Sequence, residues 1–280
     1  MRVIPLVLAS ALLFLPGCSG PDMTLLDRPV GETRTTRVLM KSTALEATNR
    51  RTLREEGLLR SYNRDPHGAI RTLAQLYRAE PTEARRRALA EMTSDTGDRL
   101  AKGQPAAAIG HYLETALLTG TPAGKVRSPA VASNDRVLHD YATMRVARIL
   151  HANPELEGNT GRVSGATGTY ELRLATGREY VSPGQFDLLV PATWLKFKGM
   201  DFEPVVQEGR GEAMIGHRYA TAEARAADPL MPTFGHSSAL NATLRFSGAT
   251  ATLALQDLMI KGRATFNGES VQLKGDFTAA

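Results

Sequence analysis

Cysteine is almost missing from this sequence: Cys18 stands alone among 280 residues. One thiol makes no internal disulfide, so packing alone must hold the chain, even in an oxidising compartment. Aromatic residues are scarce, at 6% with a single tryptophan, and none interleaves with the arginine clusters. That argues against nucleic acid as a partner, because single-stranded binding needs aromatic faces for bases to stack on. Beyond residue 17 no apolar run approaches the roughly 20 residues that cross a bilayer as a helix. Six histidines, His67, His111, His139, His151, His217 and His236, show no HExxH or comparable spacing. Neither a metal site nor any other cofactor is expected. A hydrophobic fraction of 42% and a charged fraction of 22% exclude wholesale disorder.

What is present begins with an export signal. Arg2 is a minimal basic head, and residues 3–15 are apolar but too short for a membrane-spanning helix. Leu15-Pro16-Gly17-Cys18 then resembles the bacterial lipobox, in which the thiol is acylated and becomes the mature N-terminus. Pro16 departs from the small or β-branched residue usual there. The chemistry suits Cys18, since among neutral side chains only a thiol yields enough thiolate to attack a lipid donor easily. An ordinary signal peptide with an incidental cysteine is the plainer alternative. The expectation is therefore a signal peptide at 1–17, lipidation at Cys18, and a polar tether at 18–32 that stands the body off the membrane. Ser19 after the cysteine, rather than aspartate, resembles outer-membrane sorting, which implies a lipid-anchored envelope protein facing the periplasm.

The net charge of +5 is carried entirely by the first half. Residues 1–160 hold 22 Lys+Arg against 17 Asp+Glu, whereas residues 161–280 hold 12 of each. The densest clusters are Arg50-Arg51-Thr52-Leu53-Arg54 and Arg85-Arg86-Arg87. They could face anionic headgroups near the anchor. Glu55, Glu56, Glu80 and Glu83 interleave with them at helical distances, so a solvated, internally paired helix face is the simpler reading.

Residues 52–153 carry a helical period. Ile70, Leu73, Ala74 and Tyr77 share one face, and Ile109, Tyr112, Leu113, Ala116 and Leu117 follow the i, i+3, i+4, i+7, i+8 template. Asp65-Pro66 and Gln104-Pro105 each place proline in a first helical turn, where its missing donor costs nothing; Gln104 is the poorer cap. Pro66, Ala69 and Ile70 recur as Pro105, Ala108 and Ile109, with an arginine-rich helix at 82–102 between them. These pairs resemble tetratricopeptide-like helix pairs, although two units do not make a superhelix. A last helix is expected at 134–152, after a Gly/Pro/Ser-rich loop at 120–133. Its stripe, Leu138, Tyr141, Ala142 and Ile149, is broken by Arg145.

At Asn153-Pro154 the period becomes two. Tyr170, Leu172 and Leu174 alternate with Glu171 and Arg173; Leu240, Ala242, Leu244 and Phe246 alternate with Asn241, Thr243 and Arg245; Val271, Leu273 and Phe277 alternate with Gln272, Lys274 and Asp276. Alternation predicts half-buried strands with polar faces toward water. The expected class is α+β: a helical domain at 33–153, then an antiparallel sheet or small β-sandwich at 154–280.

Two short motifs suggest chemistry and then fail on context. Gly235-His236-Ser237-Ser238-Ala239 resembles a nucleophile elbow, but Ala239 replaces the second glycine and a strand, not a helix, follows. A polar turn leading into a strand fits better. Gly209-Arg210-Gly211 is half a dinucleotide fingerprint, lacks its third glycine at Met214, and reads as a hairpin loop. The pair Asp201 and Glu203 is loop-borne and supports no acid/base assignment. No catalytic residue is assigned.

Phe186-Asp187-Leu188-Leu189-Val190-Pro191-Ala192, residues 195–199, Gly209-Arg210-Gly211-Glu212-Ala213, residues 239–246 and Asp276-Phe277-Thr278 together resemble the N-terminal, non-catalytic region of bacterial envelope lipoproteins that carry a C-terminal α/β-hydrolase domain. The resemblance covers nearly the whole chain, and its motifs are short. It implies a lipobox, an Ala/Leu/Arg-rich helical part and a β-rich part ahead of a hydrolase. In that family the catalytic serine follows the Asp-Phe-Thr segment, so no nucleophile, acid or base carries over to these 280 residues. The expected function is a lipid-anchored scaffold or interaction module. Its partners are the membrane, through lipid on Cys18, and another protein or a covalently following serine hydrolase domain of esterase or lipase type.

Overall fold

A computed structural model describes residues 22–25, 45–120, 129–158, 161–198, 205–233, 235–266 and 268–277. The lipobox residues Leu15, Pro16, Gly17 and Cys18 lie outside them, as does most of the expected tether.

The helical part runs α1 (Ala47–Glu55), α2 (Leu59–Arg64), α3 (Pro66–Ala79), α4 (Glu83–Leu100), α5 (Pro105–Thr119), α6 (Pro129–Ala152) and the short α7 (Pro154–Gly158), with α8 (Ala222–Ala227) later in the chain. Helix starts follow the sequence signals. Asp65 caps α3 by accepting from the Gly68 backbone N–H at 2.9 Å, and Pro66 opens the helix. Thr82 caps α4 in the same way through Arg85 N–H. Pro105 opens α5, and Gln104 makes no side-chain cap. One boundary differs from expectation. The last long helix begins at Pro129, inside the stretch read as loop, because Pro129 at a first helical position is as good a start as Pro66.

The strands are β1 (Asp22–Leu25), β2 (Arg162–Ser164), β3 (Thr169–Leu174), β4 (Leu188–Pro191), β5 (Leu195–Lys198), β6 (Val206–Gln207), β7 (Glu212–Arg218), β8 (His236–Ser247), β9 (Thr250–Asp257), β10 (Arg263–Phe266), β11 (Glu269–Gln272) and β12 (Gly275–Asp276). Six of them form one curled sheet in the order β2-β3-β9-β8-β7-β4. The α+β class is as expected. The sheet is mixed rather than wholly antiparallel, since β3 and β9 run parallel while every other neighbouring pair is antiparallel. Small two-stranded pairings surround it: β1 with β5, β6 with β12, and β10 with β11.

Helices α5 and α6 cover one face. Ile109, Tyr112 and Leu113 of α5, with Val146, Ala147 and Leu150 of α6, share a core with Leu172, Met214, Leu240, Ala242, Leu244 and Leu253 of the sheet. The core therefore crosses the point where helical period gives way to alternation. Gly110 is required there: a Cβ on it would lie 2.3 Å from the Ser164 carbonyl oxygen of β2. A second apolar cluster joins α1 to α4 through Leu53, Tyr62, Ile70, Leu73, Leu89 and Met92.

The other sheet face is also covered, contrary to the expectation of polar faces toward water. Successive strand residues point to opposite faces, so Asn241 and Thr243 lie opposite Leu240, Ala242 and Leu244. Both are buried. Asn241 donates to the carbonyls of Arg210 at 2.9 Å and Lys274 at 2.7 Å, and Ala239 packs with Leu258, Ala264 and Leu273. The C-terminal strands close over this side. Gly209-Arg210-Gly211 is not a hairpin loop, because β6 pairs with β12 instead of β7. A Cβ on Gly209 would meet the Leu273 backbone at 2.3 Å, so glycine serves a close chain crossing.

Candidate functional site

The most chemically suggestive cluster sits at one end of the sheet, where β7 finishes, β8 starts and β4 starts. Antiparallel register sets His217 of β7 opposite Ser237 of β8, and opposite Leu188 of β4 on its other side. His217 Nδ1 and Ser237 Oγ are 2.9 Å apart. Asp187, just before β4, accepts the Tyr219 N–H at 2.7 Å through Oδ2. Burial lowers the His217 pKa, the Asp187 charge pushes it back up, and His236 lowers it further. The ring is thus neutral at pH 7 and able to accept the serine proton at Nδ1 when its other nitrogen holds the hydrogen.

Serine, histidine and a nearby carboxylate are the parts of a nucleophilic triad. The setting is different from a hydrolase elbow. Ser237 lies within a strand ladder, and Gly235, at φ 88°, supplies the turn that leads into it. The reading of a polar turn entering a strand matches this geometry. Among the described residues the His236 side chain reaches Ser238, at 3.4 Å, and not Ser237, so the histidine adjacent in sequence is not the partner of that serine. That partner is His217, found 20 residues earlier through sheet register rather than through any motif.

Exposed apolar side chains rim the same sheet end. Tyr219 follows β7 and stacks edge-on against His217 with ring centroids 4.9 Å apart. Leu230, in the connection to β8, is 91% exposed, and Met259 and Ile260, just past β9, are 70% and 50% exposed.

Elsewhere the buried polar groups brace the fold. Glu114 of α5 is almost wholly buried and accepts from the backbone of Ala166, Thr167 and Gly168 and from the Thr167 hydroxyl. Burial raises its pKa and those donors draw it back. Among the described residues His111 Nδ1, 3.7 Å from Glu114, has no hydrogen-bond partner, and its ring meets His67 edge-on at 4.8 Å. Burial, then His67, lowers the His111 pKa to about 4, so at neutral pH the contact with Glu114 is not an ion pair. No group of three or more His, Cys, Asp or Glu side chains suited to a metal occurs among the described residues.

The arginine clusters are largely paired within the protein. Arg51 meets Glu55 at 2.8 Å, Arg85 meets Glu56 and Glu80, and Arg87 meets Glu46 at 3.7 Å. Arg86 is buried against Asp135, with both carboxylate oxygens accepting at 2.7 and 2.8 Å. The simpler reading of an internally paired helix face describes them better than a headgroup-facing patch. A third network, invisible in the sequence, joins α4, α5 and α6: Asp98 accepts from the hydroxyls of Tyr112 and Tyr141, and Arg145 donates to Tyr112 at 2.8 Å. Arg145, the residue that broke the apolar stripe, lies over both tyrosine rings.

No protein-family model, curated protein or solved structure matches this chain. Among the described residues no helix is long and apolar enough to cross a membrane.

Proposed function

We propose that this chain is a lipid-anchored protein of the bacterial cell envelope that acts as a support or interaction module, held to the membrane by acyl chains on Cys18. The observation that carries the reading is the pairing of β1 with β5. Asp22 lies opposite Lys198 and Leu25 opposite Leu195, so the chain is joined to the folded body only four residues after the cysteine. An anchor so short fixes a body close to the membrane, as a support requires. The core shared by α5, α6 and the sheet gives that body the stiffness of one unit. What it supports is a separate protein or, following the resemblance to envelope hydrolase lipoproteins, a hydrolase domain in the same polypeptide.

Cys18→Ser is expected to move the protein from the membrane to the soluble fraction, while the wild type withstands a high-salt wash. Retention of the unacylated variant after that wash would sink the anchor. An antibody against the sheet, applied to membranes of the source cell, separates the two partners: a band near 30.2 kDa indicates a separate protein, and one of twice that size a covalent hydrolase domain.

A second reading, acyl transfer at Ser237, is favoured by its 2.9 Å contact with His217. In that case Ser237 Oγ attacks an ester carbonyl as His217 takes its proton, the alcohol leaves with that proton, and water releases the acid. Hydrolysis of p-nitrophenyl butyrate, lost in both Ser237→Ala and His217→Gln, would establish it. Equal background rates in the wild type and both variants would dismiss it.

A further inference from the structure

Six large apolar side chains stand exposed among the described residues, and four of them, Tyr219, Leu230, Met259 and Ile260, belong to segments that meet at the sheet end holding Ser237 and His217. Apolar residues scattered singly over a surface need no explanation. A set gathered around a nucleophile and its base does.

Strand register sets two flanks about Ser237. Tyr219 closes the β7 side, its ring edge-on to His217 at 4.9 Å. On the other side β9 ends at Asp257, opposite Leu240, and Leu258 donates its N–H to the Ala239 carbonyl at 3.0 Å. Met259 and Ile260 therefore turn off beside the start of β8. That turn is fastened, because the Met259 N–H reaches Asp257 Oδ1 at 2.9 Å and the Lys261 N–H reaches the Asp257 carbonyl at 3.1 Å. Ser237 lies between the two apolar flanks.

The backbone supplies a donor at the same place. The Ala239 carbonyl points to the β9 side, and residues two apart along a strand direct their backbone groups alike, so the Ser237 N–H points that way too. Among the described residues no strand residue stands opposite it there, since β9 has ended. A carbonyl attacked by Ser237 Oγ has this N–H beside its developing oxyanion. Gly235 leaves room behind the base, for a Cβ on it would lie 3.0 Å from His217 Nε2.

We infer that this sheet end takes fatty-acyl esters, with the acyl chain laid against Tyr219, Met259 and Ile260 and the carbonyl carbon at Ser237 Oγ. This deepens the acyl-transfer reading of Ser237 and rests on it. Ser237 Oγ bonds to the carbonyl carbon as its proton passes to His217 Nδ1, and collapse of the oxyanion expels the alcohol, which takes that proton. Water then adds to the acyl-serine, giving a proton to His217. The acid leaves as Ser237 Oγ recovers that proton.

The test compares kcat/KM of the full chain for p-nitrophenyl acetate, butyrate and octanoate, all below micellar concentration, with intact-mass detection of the acyl group on Ser237. Octanoate should exceed acetate by about tenfold, short of the roughly fourfold per methylene that complete burial would give, because an open rim covers one side of the chain. Met259→Ser with Ile260→Ser should cut the octanoate-to-acetate ratio to about twofold. Should that double variant fail to fold, the wild type decides through alcohols: octan-1-ol should inhibit about tenfold more strongly than butan-1-ol. Hydrolysis that needs Ser237 and His217 yet ignores chain length, or a chain-length preference that survives the double variant, overturns the acyl site and leaves acyl transfer standing. The absence of Ser237-dependent turnover with every ester overturns both.

Discussion

Glu114, in the middle of α5, holds the turn between β2 and β3 at Thr167, which donates its backbone N–H at 2.6 Å and its hydroxyl at 2.7 Å to one carboxylate oxygen. Ala166 and Gly168 N–H groups add 3.1 Å contacts. One side chain thus answers a whole turn, tying helix to sheet. Glu114→Ala leaves those buried donors without an acceptor and should cost about 2–4 kcal/mol. Glu114→Gln, which keeps one acceptor oxygen, should cost less. Urea unfolding of the two variants measures both, and a loss below about 1 kcal/mol for alanine would show the turn to be held by something else.

Arg86 and Asp135 make a second cross-tie, from α4 to α6, with each side chain only 6% exposed. Glu83 and the Leu118 carbonyl complete the arginine's partners. Removing one member takes the largest ion pair from the other charge while leaving that charge in the interior. Arg86→Met or Asp135→Leu alone should each cost about 3–5 kcal/mol, whereas the double variant should recover much of that, because an apolar pair fills the same space without desolvating ions. Thermal unfolding of the four proteins closes the cycle. Additive losses would mean that the two side chains are not coupled.

These ties also show how far the sequence can be read. Helix starts at Asp65-Pro66 and Gln104-Pro105 were legible because proline acts locally, through its own fixed φ and missing N–H. The alternation in β3 and β8 was legible for a similar reason: it needs only a buried face. Everything that depends on what covers the second face was not. Asn241 and Thr243 alternate like solvent-facing residues and are buried under the C-terminal strands. Leu117 completes an apolar stripe and is 44% exposed. Arg86 sits inside a basic run and is a core residue. Ser237 stands out in the sequence through its flanking glycine and histidine, but its partner His217 follows from strand register, which no local signal encodes.

Acid should loosen the helical layer through His111. Its folded pKa, about 4, lies below the ordinary histidine value of 6.5. An unfolded chain therefore binds a proton that the folded one refuses, and stability falls as pH drops from about 6.5 to about 4, by up to about 3 kcal/mol from this group. Glu114, whose pKa burial raises, works in the opposite sense: the folded protein gains stability as pH falls through that raised value and the carboxyl takes its proton. His111→Phe removes only the first effect. Unfolding free energies of wild type and variant, compared between pH 7 and pH 4, should show the variant gaining on the wild type as pH falls. Parallel curves would mean that His111 is not held neutral.

Asn241 offers the sharpest test of how the C-terminal strands are fastened. Its amide nitrogen donates to the carbonyls of Arg210 and Lys274, and the Arg210 carbonyl also accepts the Lys274 N–H, so three bonds meet where β12 approaches β8. Among the described residues the amide oxygen has no partner, and it faces Gly211, where a Cβ would stand 2.5 Å away. Only a donor is wanted at this position. Asn241→Leu should cost about 2–3 kcal/mol through the two carbonyls left unanswered. Asn241→Asp should cost more at pH 7, since a carboxylate would face carbonyl oxygens in a dry site, and it should recover as pH falls and the acid gains a proton to donate. Hydrogen exchange at Lys274, Gly275 and Asp276 reads the same event locally. These amides should exchange faster in both variants, while β7 and β8 amides distant from residue 241 keep their protection. If Asn241→Asp proved as stable as the wild type at pH 7, the donor role of this side chain would be wrong.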